Sequence, residues 1–484
     1  MEARTDHQPP SGDPSPGQPR WALLQGNMIC EGPDARARTP TASDDLDAET
    51  VAEALTSGGR HVRASFRLAA PPAVSRLRVD IPGLPDGTQL LAQIIAAHAD
   101  SVLIEIETSR PGHPAETTAL LRRGDEDLLV ARLTLDGTEG EAPLEAELCL
   151  LRSGEWEWEP KRLPVLHGDG KRKEVSFWET DTVIPVGDRF LYWVDYYRGV
   201  IFSDAWEETP QLRYVSLPVE TLLERRPRDH DQGSSYRGVC ATDGGGAVSF
   251  VEVFPRCCCG CPGTTFCSRS RYAFNITTWT LRMDDDMPTW DKVGVVDSDE
   301  LWSLPGYGGV PRTTPEYPIV SLDDPDVLCF MVHKLPYHME DVDGDHAIRM
   351  IEVDTNRMEL RSVVCYDEHD DGFCSPPEFI PCMISRYFGA SSHSCRPLAK
   401  LHQQAPTAAA ATIKLVSSDN KAAMASPGEM LATLREIGDL ARDDMLRTYS
   451  VLVCDGSQFK FRSLLALPKD MRKDYCLLLM QNCL

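Results

Sequence analysis

The sequence predicts a mainly β fold: a β-propeller-like array of antiparallel meander blades, followed by a short C-terminal helix and hairpin. Three observations carry that expectation. Short runs with period-two alternation, such as HVRASFRL and SVLIEIET, recur from residue 61 onward between Pro-Gly and Asp-Gly turns. Four later segments share one pattern, an apolar strand, a polar turn and a second strand. Within residues 190–219 aromatic side chains fall on consecutive as well as alternate positions, so both faces of that sheet must be covered.

Residues 1–20 are rich in Pro, Gly and Ser, and residues 31–50 are polar and acidic. The stretch 1–60 therefore reads as largely disordered or loosely packed, with one strand inside it at 21–29. Strands follow from 61, interrupted by one expected helix at 88–98, where Leu90, Leu91, Ile94 and Ile95 share a face.

The four patterned segments are LCLLRSGEWEWEPKRLPV at 148–165, VIFSDAWEETPQLRYVSLPV at 200–219, WTLRMDDDMPTWDKVGVV at 279–296 and IRMIEVDTNRMELRSVVCY at 348–366. Each is preceded by a further strand candidate: DLLVARLTL, FLYWVDYY, AVSFVEVF and DVLCFMVH. Residues 190–219 read as one blade, with strands at 190–195, 200–204 and 212–217. Arg198-Gly199 and residues 207–210 make its turns. Such a unit cannot bury both faces alone and must stack on neighbours. A pair of β-sandwich domains built from the same hairpins is the alternative. The array spans 61–400, with its most regular part at 178–366. A linker rich in Ala, Ser and Lys occupies 401–428. The tail, 429–484, is expected to pack on the array as a helix and hairpin. Ser426 caps the helix, Met430, Leu434, Ile437 and Ala441 share its face, and Asp455-Gly456 turns the hairpin.

The chain of 484 residues carries a net charge of −25 with 42% hydrophobic residues, enough apolar material for a sizeable core. A surface that acidic repels phosphate backbones and anionic lipid, so neither nucleic acid nor a membrane is an expected partner. The basic islands Lys171-Arg172-Lys173 and Arg225-Arg226-Pro227-Arg228 read as solvated loops. No apolar run reaches the roughly 18–20 residues that span a bilayer. The first twenty residues hold no apolar segment. A cytoplasmic or nuclear protein, neither secreted nor membrane-spanning, is the resulting expectation. Its sixteen cysteines should then be mostly small buried thiols.

Among chemical constellations, Cys258 and Cys261 have the spacing of a zinc half-site within Cys257-Cys258-Cys259-Gly260-Cys261, with Cys267 beyond. Two thiolates flanking a tight turn can share one tetrahedral ion, yet a second pair is needed. Cys374, Cys382, His393 and Cys395 offer no matching spacing. An ordinary loop insertion is the plainer reading, and no other cofactor is expected. Asp341, Asp343 and Asp345 surround Gly344, but a calcium loop in that register would need carboxylates where Met339 and Met350 stand. Asp323, Asp324 and Asp326 around Pro325 read as a turn, and Gly244-Gly245-Gly246 as a hairpin. No nucleophile elbow, phosphate loop or zinc-protease motif is present. Trp193, Trp206, Trp279 and Trp290, at strand spacing, are expected to pack between blades.

One run has a family likeness. Trp193-Val194-Asp195, Arg198-Gly199-Val200-Ile201-Phe202, Asp204 and Leu212–Pro218 resemble the signature of a plant family, expanded in grasses, catalogued as domain of unknown function 1618. Met430–Leu434, Arg442–Leu446, Phe461–Leu465 and Leu467-Pro468 look like its C-terminal end. The likeness covers 178–366 and 429–478, fades before residue 100, and does not extend to the insert at 257–267. It implies a plant origin and a propeller-like β fold and supplies no activity. Trp193, Asp195, Arg198, Gly199, Phe202, Asp204 and Pro218 are therefore taken as structural. The leading functional expectation is a non-enzymatic scaffold that binds another protein, by charge a basic one. The alternatives are a hydrolase using carboxylates in a central channel, and a thiol or zinc stress sensor built on 257–267.

Overall fold

The computed structural model describes residues 19–28, 52–55, 61–81, 91–107, 117–124, 127–135, 144–154, 157–168, 170–220, 233–242, 246–257, 272–283, 288–333, 348–366, 379–387 and 412–416, with 433–435, 437, 445, 448, 472 and 473 in the tail. The chain forms two compact units, 1–106 with 114–416, and 107–113 with 417–484. In the second, residues 433–435 are helical, with Leu434 and Ile437 buried, on the face the sequence assigned to them.

The first unit is built from strands. β1 (Ala22–Gln25), β2 (Asn27–Met28), β3 (Ala52–Leu55), β4 (His61–Arg67), β5 (Val74–Asp80), β6 (Leu91–His98) and β7 (Ser101–Glu107) come first. A meander follows: β8 (Thr118–Arg123), β9 (Asp127–Leu135), β10 (Glu145–Arg152) and β11 (Trp158–Leu166). Helix α1 (Arg172–Ser176) leads into β12 (Thr182–Val186), β13 (Phe190–Asp195), β14 (Gly199–Asp204) and β15 (Leu212–Ser216). Helix α2 (Gly233–Tyr236) precedes β16 (Arg237–Thr242), β17 (Ala247–Pro255), β18 (Phe274–Arg282) and β19 (Thr289–Asp297). Helix α3 (Ser298–Trp302) precedes β20 (Glu316–Val320), β21 (Val327–Val332), β22 (Ile348–Asp354) and β23 (Glu359–Tyr366). β24 (Phe379–Cys382) and β25 (Thr412–Val416) come last.

Among the described residues these strands make five sheets, and the eight-stranded one is two meanders, β8–β11 and β12–β15, joined by the parallel pair β11–β15. Consecutive strands within each meander pair antiparallel, as short turn-linked runs must. The inner strands touch in ring order: β6 on β8, β8 on β12, β12 on β16, β16 on β20, and β24 on β6. Tyr317 of β20 meets Phe379 of β24 with ring centroids 6.0 Å apart, which completes the circuit. β1 pairs with β24 along Ala22↔Cys382 to Gln25↔Phe379, so the start of the chain is sealed to the last inner strand. The result is a β-propeller-like ring. Apolar side chains between neighbouring sheets form its core; Val239, Phe250, Phe274, Phe330 and Ile351 belong to one cluster, and Leu129, Leu148, Trp193 and Ile201 to another.

One expectation needs correction here. Residues 91–98 are a strand, not a helix. Ala99, at φ 52°, turns the chain straight back into β7, and β2 and β7 flank β6 on either side. Leu and Ile at helical spacing satisfy a strand equally well when both neighbouring edges must be paired, so tertiary context decides. The connection 298–315 contains α3. Its start was legible: the Asp297 carboxylate accepts from Asp299 N at 2.8 Å and Glu300 caps Asp297 N at 3.0 Å, a capping box.

Candidate functional site

Antiparallel meanders sort their connections by end. First-to-second and third-to-fourth hairpins leave from one end of the ring, here called the hairpin end. Second-to-third connections, and those between sheets, leave from the other. The hairpin end carries short connections: 187–189, 205–211, 243–246, 283–288, 321–326 and 355–358. At the opposite end the chain leaves and re-enters the sheets between residues 166 and 182, 216 and 237, 255 and 274, 297 and 316, 332 and 348, and 366 and 379. This loop end is where binding residues can be displayed without disturbing the sheets.

The family-like residues, Asp204 apart, occupy the roots of that end and the core beneath it. Trp193, fully buried, lies between the meanders β8–β11 and β12–β15, and its indole N–H donates to Thr117 O at 3.2 Å. Asp195 and Arg198 form a fully buried ion pair, Nη1 to Oδ2 at 2.8 Å, inside the β13–β14 turn. Asp195 also accepts from Tyr197 N at 2.9 Å and Glu179 N at 3.0 Å, tying the turn to the incoming connection. Gly199 was expected to ease a turn. The structure gives a different reason: a Cβ there would lie 2.5 Å from the Tyr214 ring and closer still to the Val215 carbonyl. Phe202 stacks on Tyr192 with centroids 5.0 Å apart. Asp204 sits at the hairpin end, paired with Arg189 and accepting from Trp206 N at 3.1 Å. Pro218, half-buried, follows β15 at the loop end.

The tryptophans divide. Trp279 and Trp290 pack on Phe250, and the Trp290 indole N–H reaches across to Ser216 O at 3.0 Å, linking two sheets. Trp206 packs against the core between β8–β11 and β12–β15 at the hairpin end, beneath the guanidinium of Arg123, whose carbon lies 4.2 Å from the ring centroid.

At the loop end the polar groups are held pairwise. Burial alone would raise Glu174, but hydrogen bonds from Lys171, Ser216 and Tyr214 outweigh it and hold the carboxyl below its ordinary value. Asp181 accepts from Tyr196 N at 2.6 Å, and Tyr196 O accepts from Arg237 at 2.6 Å. Arg237 pairs with Glu252, and Arg256 with Asp297 at 2.5 Å.

One group at the mouth of the ring differs. Glu316 is buried and is held by a phenol and an imidazole: Tyr236 Oη donates at 3.1 Å, and His333 Nε2 lies 3.0 Å away. Burial, with the Glu316 charge adding to it, pushes the Tyr236 phenol above its ordinary value. Glu316 opens a β-bulge in β20, and the next residue, Tyr317, has φ 52°. A bulge beside a non-glycine residue in the left-handed region is a place where backbone is spent to aim side chains. A Cβ at Gly238, beneath it on β16, would collide with the Pro318 carbonyl. Sequence reasoning missed Tyr236, Glu316 and His333, which come from three separate segments and share no motif.

The zinc candidates Cys258 and Cys261 lie outside the described residues, as do Asp341, Asp343 and Asp345. Cys257, at the edge of that insert, is half-buried. Among the described residues no group of three His, Cys, Asp or Glu side chains could hold a metal ion. No described helix is long and apolar enough to cross a membrane.

Comparison with known proteins bears on the family first. Residues 193–329 match the family model described as Protein of unknown function (DUF1618). The DUF1618 match begins at the buried Trp193 and ends at Cys329 in β21, so it takes in the Asp195–Arg198 turn and Glu316. No curated protein matches the chain. Among solved structures, a hypothetical selenium-binding protein from Sulfolobus tokodaii is similar at 12% identity and TM-score 0.26, over 72% of this chain. The chain spans 64% of that protein's length. The WD40 domain of SCAP from fission yeast is similar at 11% identity and TM-score 0.23, over 72% of this chain and 85% of its own. Neither likeness bears on what this chain binds.

Proposed function

We propose that this DUF1618-containing chain is a non-enzymatic interaction scaffold whose loop end holds another protein. The observation that carries the reading is that the longer connections leave the sheets from one end of the ring, where several described carboxylates are already matched with cations. Groups such as Glu174, Asp195, Glu252 and Asp297 each have a cationic partner and so serve to fix the rim in place. Strand ends fixed in advance lower the ordering cost of binding at that end. The net charge of −25 favours a basic partner. Cytoplasm or nucleus is the location that fits this chemistry. Affinity purification from grass tissue at two salt concentrations tests it. A reproducible basic protein, retained less at high salt, is expected; recovery of no reproducible partner overturns the proposal.

A specific observation favours one other reading. Glu316 is a buried carboxylate held by His333 and Tyr236, and an imidazole beside a carboxylate is the setting of acid–base catalysis. On this reading a hydrolase-type reaction takes place at the mouth of the ring. Glu316→Gln, which keeps the shape and removes the charge, would then abolish turnover of a substrate found by screening while leaving partner recovery intact. Equal turnover by both proteins would remove it.

A further inference from the structure

We infer that the outer edge of β7 is a strand-docking site, with the segment 412–416 as its resident occupant. The ligand class is an extended peptide of Ile, Leu and Val residues with a lysine among them.

β25 lies parallel to β7 in five successive pairs, Thr412↔Ser101 through Val416↔Glu105. It is the outermost strand of its sheet, in the order β2-β6-β7-β25. The outer strands of the three meanders that begin at β12, β16 and β20 arrive through tight hairpins from the strand beside them. β25 comes from beyond β24, after a stretch rich in alanine and glutamine.

Three physical points make such a contact exchangeable. Parallel pairing is slightly weaker per residue than antiparallel pairing, and five residues bonded on one side make a small contact. Closing a connection of this length costs only logarithmically more than closing a short one. The tethered segment therefore occupies its edge at an effective concentration of about millimolar, which a tighter strand can exceed. The receiving strand itself is built into the core: Val102, Leu103 and Ile104 are 1%, 2% and 0% exposed with β25 in place. A fixed sheet edge with register already defined is what strand addition requires. The occupant's sequence, TIKLV, supplies the pattern, and Glu105 in β7 with the net charge of −25 favours a lysine over an acid in the incoming strand. This surface is the outer edge of one sheet, distinct from the loop end, and the inference stands without the proposed function.

The test uses the full chain and the variants Ile413→Pro and Lys414→Pro, made singly. Successive N–H groups of a strand point to opposite sides, so one of the two removes a donor to β7. Hydrogen exchange is read at 101–105, and a synthetic peptide of residues 410–418 is the probe. In one variant the β7 amides that face β25 should exchange at least tenfold faster, while those facing β6 stay protected. The same variant should bind the peptide at least tenfold more tightly than the unaltered chain does. A peptide with glutamate in place of the lysine should bind that variant more weakly, most clearly at low salt. Unchanged protection in both variants would show that β25 does not hold the edge. Lost protection without peptide binding would show a strand that cannot be exchanged. Either result overturns the inference.

Discussion

Replacing Trp193 with alanine removes the largest side chain from the core shared by β8–β11 and β12–β15. The indole is fully buried, and its N–H is bonded to Thr117 O at 3.2 Å, so both packing and a hydrogen bond go at once. Truncation of a buried tryptophan costs roughly 3–5 kcal/mol. Loss of the indole N–H bond to Thr117 O adds about 1 kcal/mol. Against a usual stability of about 5–15 kcal/mol, that is enough to reduce soluble yield. Domains of roughly 150–250 residues lose about 2–4 °C per kcal/mol, so a fall of about 8–24 °C is an upper figure for this larger unit. Trp193→Phe keeps most of the volume and loses the N–H, and should fall between. The comparison is the triple change Cys257→Ser, Cys258→Ser, Cys259→Ser, expected to move the melting temperature by no more than a degree or two on the reading of the insert as a loop. Soluble yield and circular-dichroism melting of the four proteins decide the ordering. If the cysteine variant is less stable than Trp193→Ala, the reasoning fails and the insert is a structural metal site.

Other outcomes follow from single contacts. Burial holds His98 down to about 4, and its Nδ1 accepts from Arg122 N at 2.9 Å. A lowered folded value means the neutral imidazole stabilises the fold above about pH 6.5, and that contribution, up to ~3 kcal/mol, is lost as pH falls toward 4; denaturant midpoints between pH 7 and 4 should fall less in His98→Gln than in the parent. Arg198→Met leaves Asp195 buried without that guanidinium and should cost about 3–5 kcal/mol, with Asp195→Asn/Arg198→Met recovering part of it in a double-mutant cycle; additive losses would refute the coupling. Gly199→Ala and Gly238→Ala should each destabilise by about 1–3 kcal/mol or more, because a carbonyl stands where the methyl must go. Gly294→Ala, with nothing within 4 Å and no left-handed φ, should be silent in the same urea titrations.

Why the blades were legible and the site was not follows from the range of each signal. Residues 190–195, 199–204 and 212–216 are strands because alternation, aromatic content and a tight turn all act within thirty residues of one another. The same local signals failed at 91–98, where the choice between helix and strand rested on β2 and β7, one of them from the far N-terminus. Ring closure was equally hidden, since Leu24 meets Ile380 across most of the chain. Glu316, His333 and Tyr236 come together only because β16 and β20 are neighbours in the ring, a fact no local pattern contains. Gly199 was read as easing a turn: the sequence shows a glycine near a turn, and only packing shows the Tyr214 ring against it.

The central claim is that the loop end, and not merely an acidic surface, holds the partner. Two double variants separate these ideas. Glu179→Lys/Glu220→Lys changes exposed residues at the loop end, and Glu207→Lys/Glu208→Lys changes exposed residues at the hairpin end. Each double variant raises the net charge by the same amount, so bulk electrostatics is held constant. The measurement is the dissociation constant of the recovered partner for both variants and the parent at one fixed ionic strength. The account predicts at least tenfold weaker binding by the loop-end variant and binding within twofold of the parent by the hairpin-end variant. Equal weakening by both, or greater weakening by the hairpin-end variant, would contradict it.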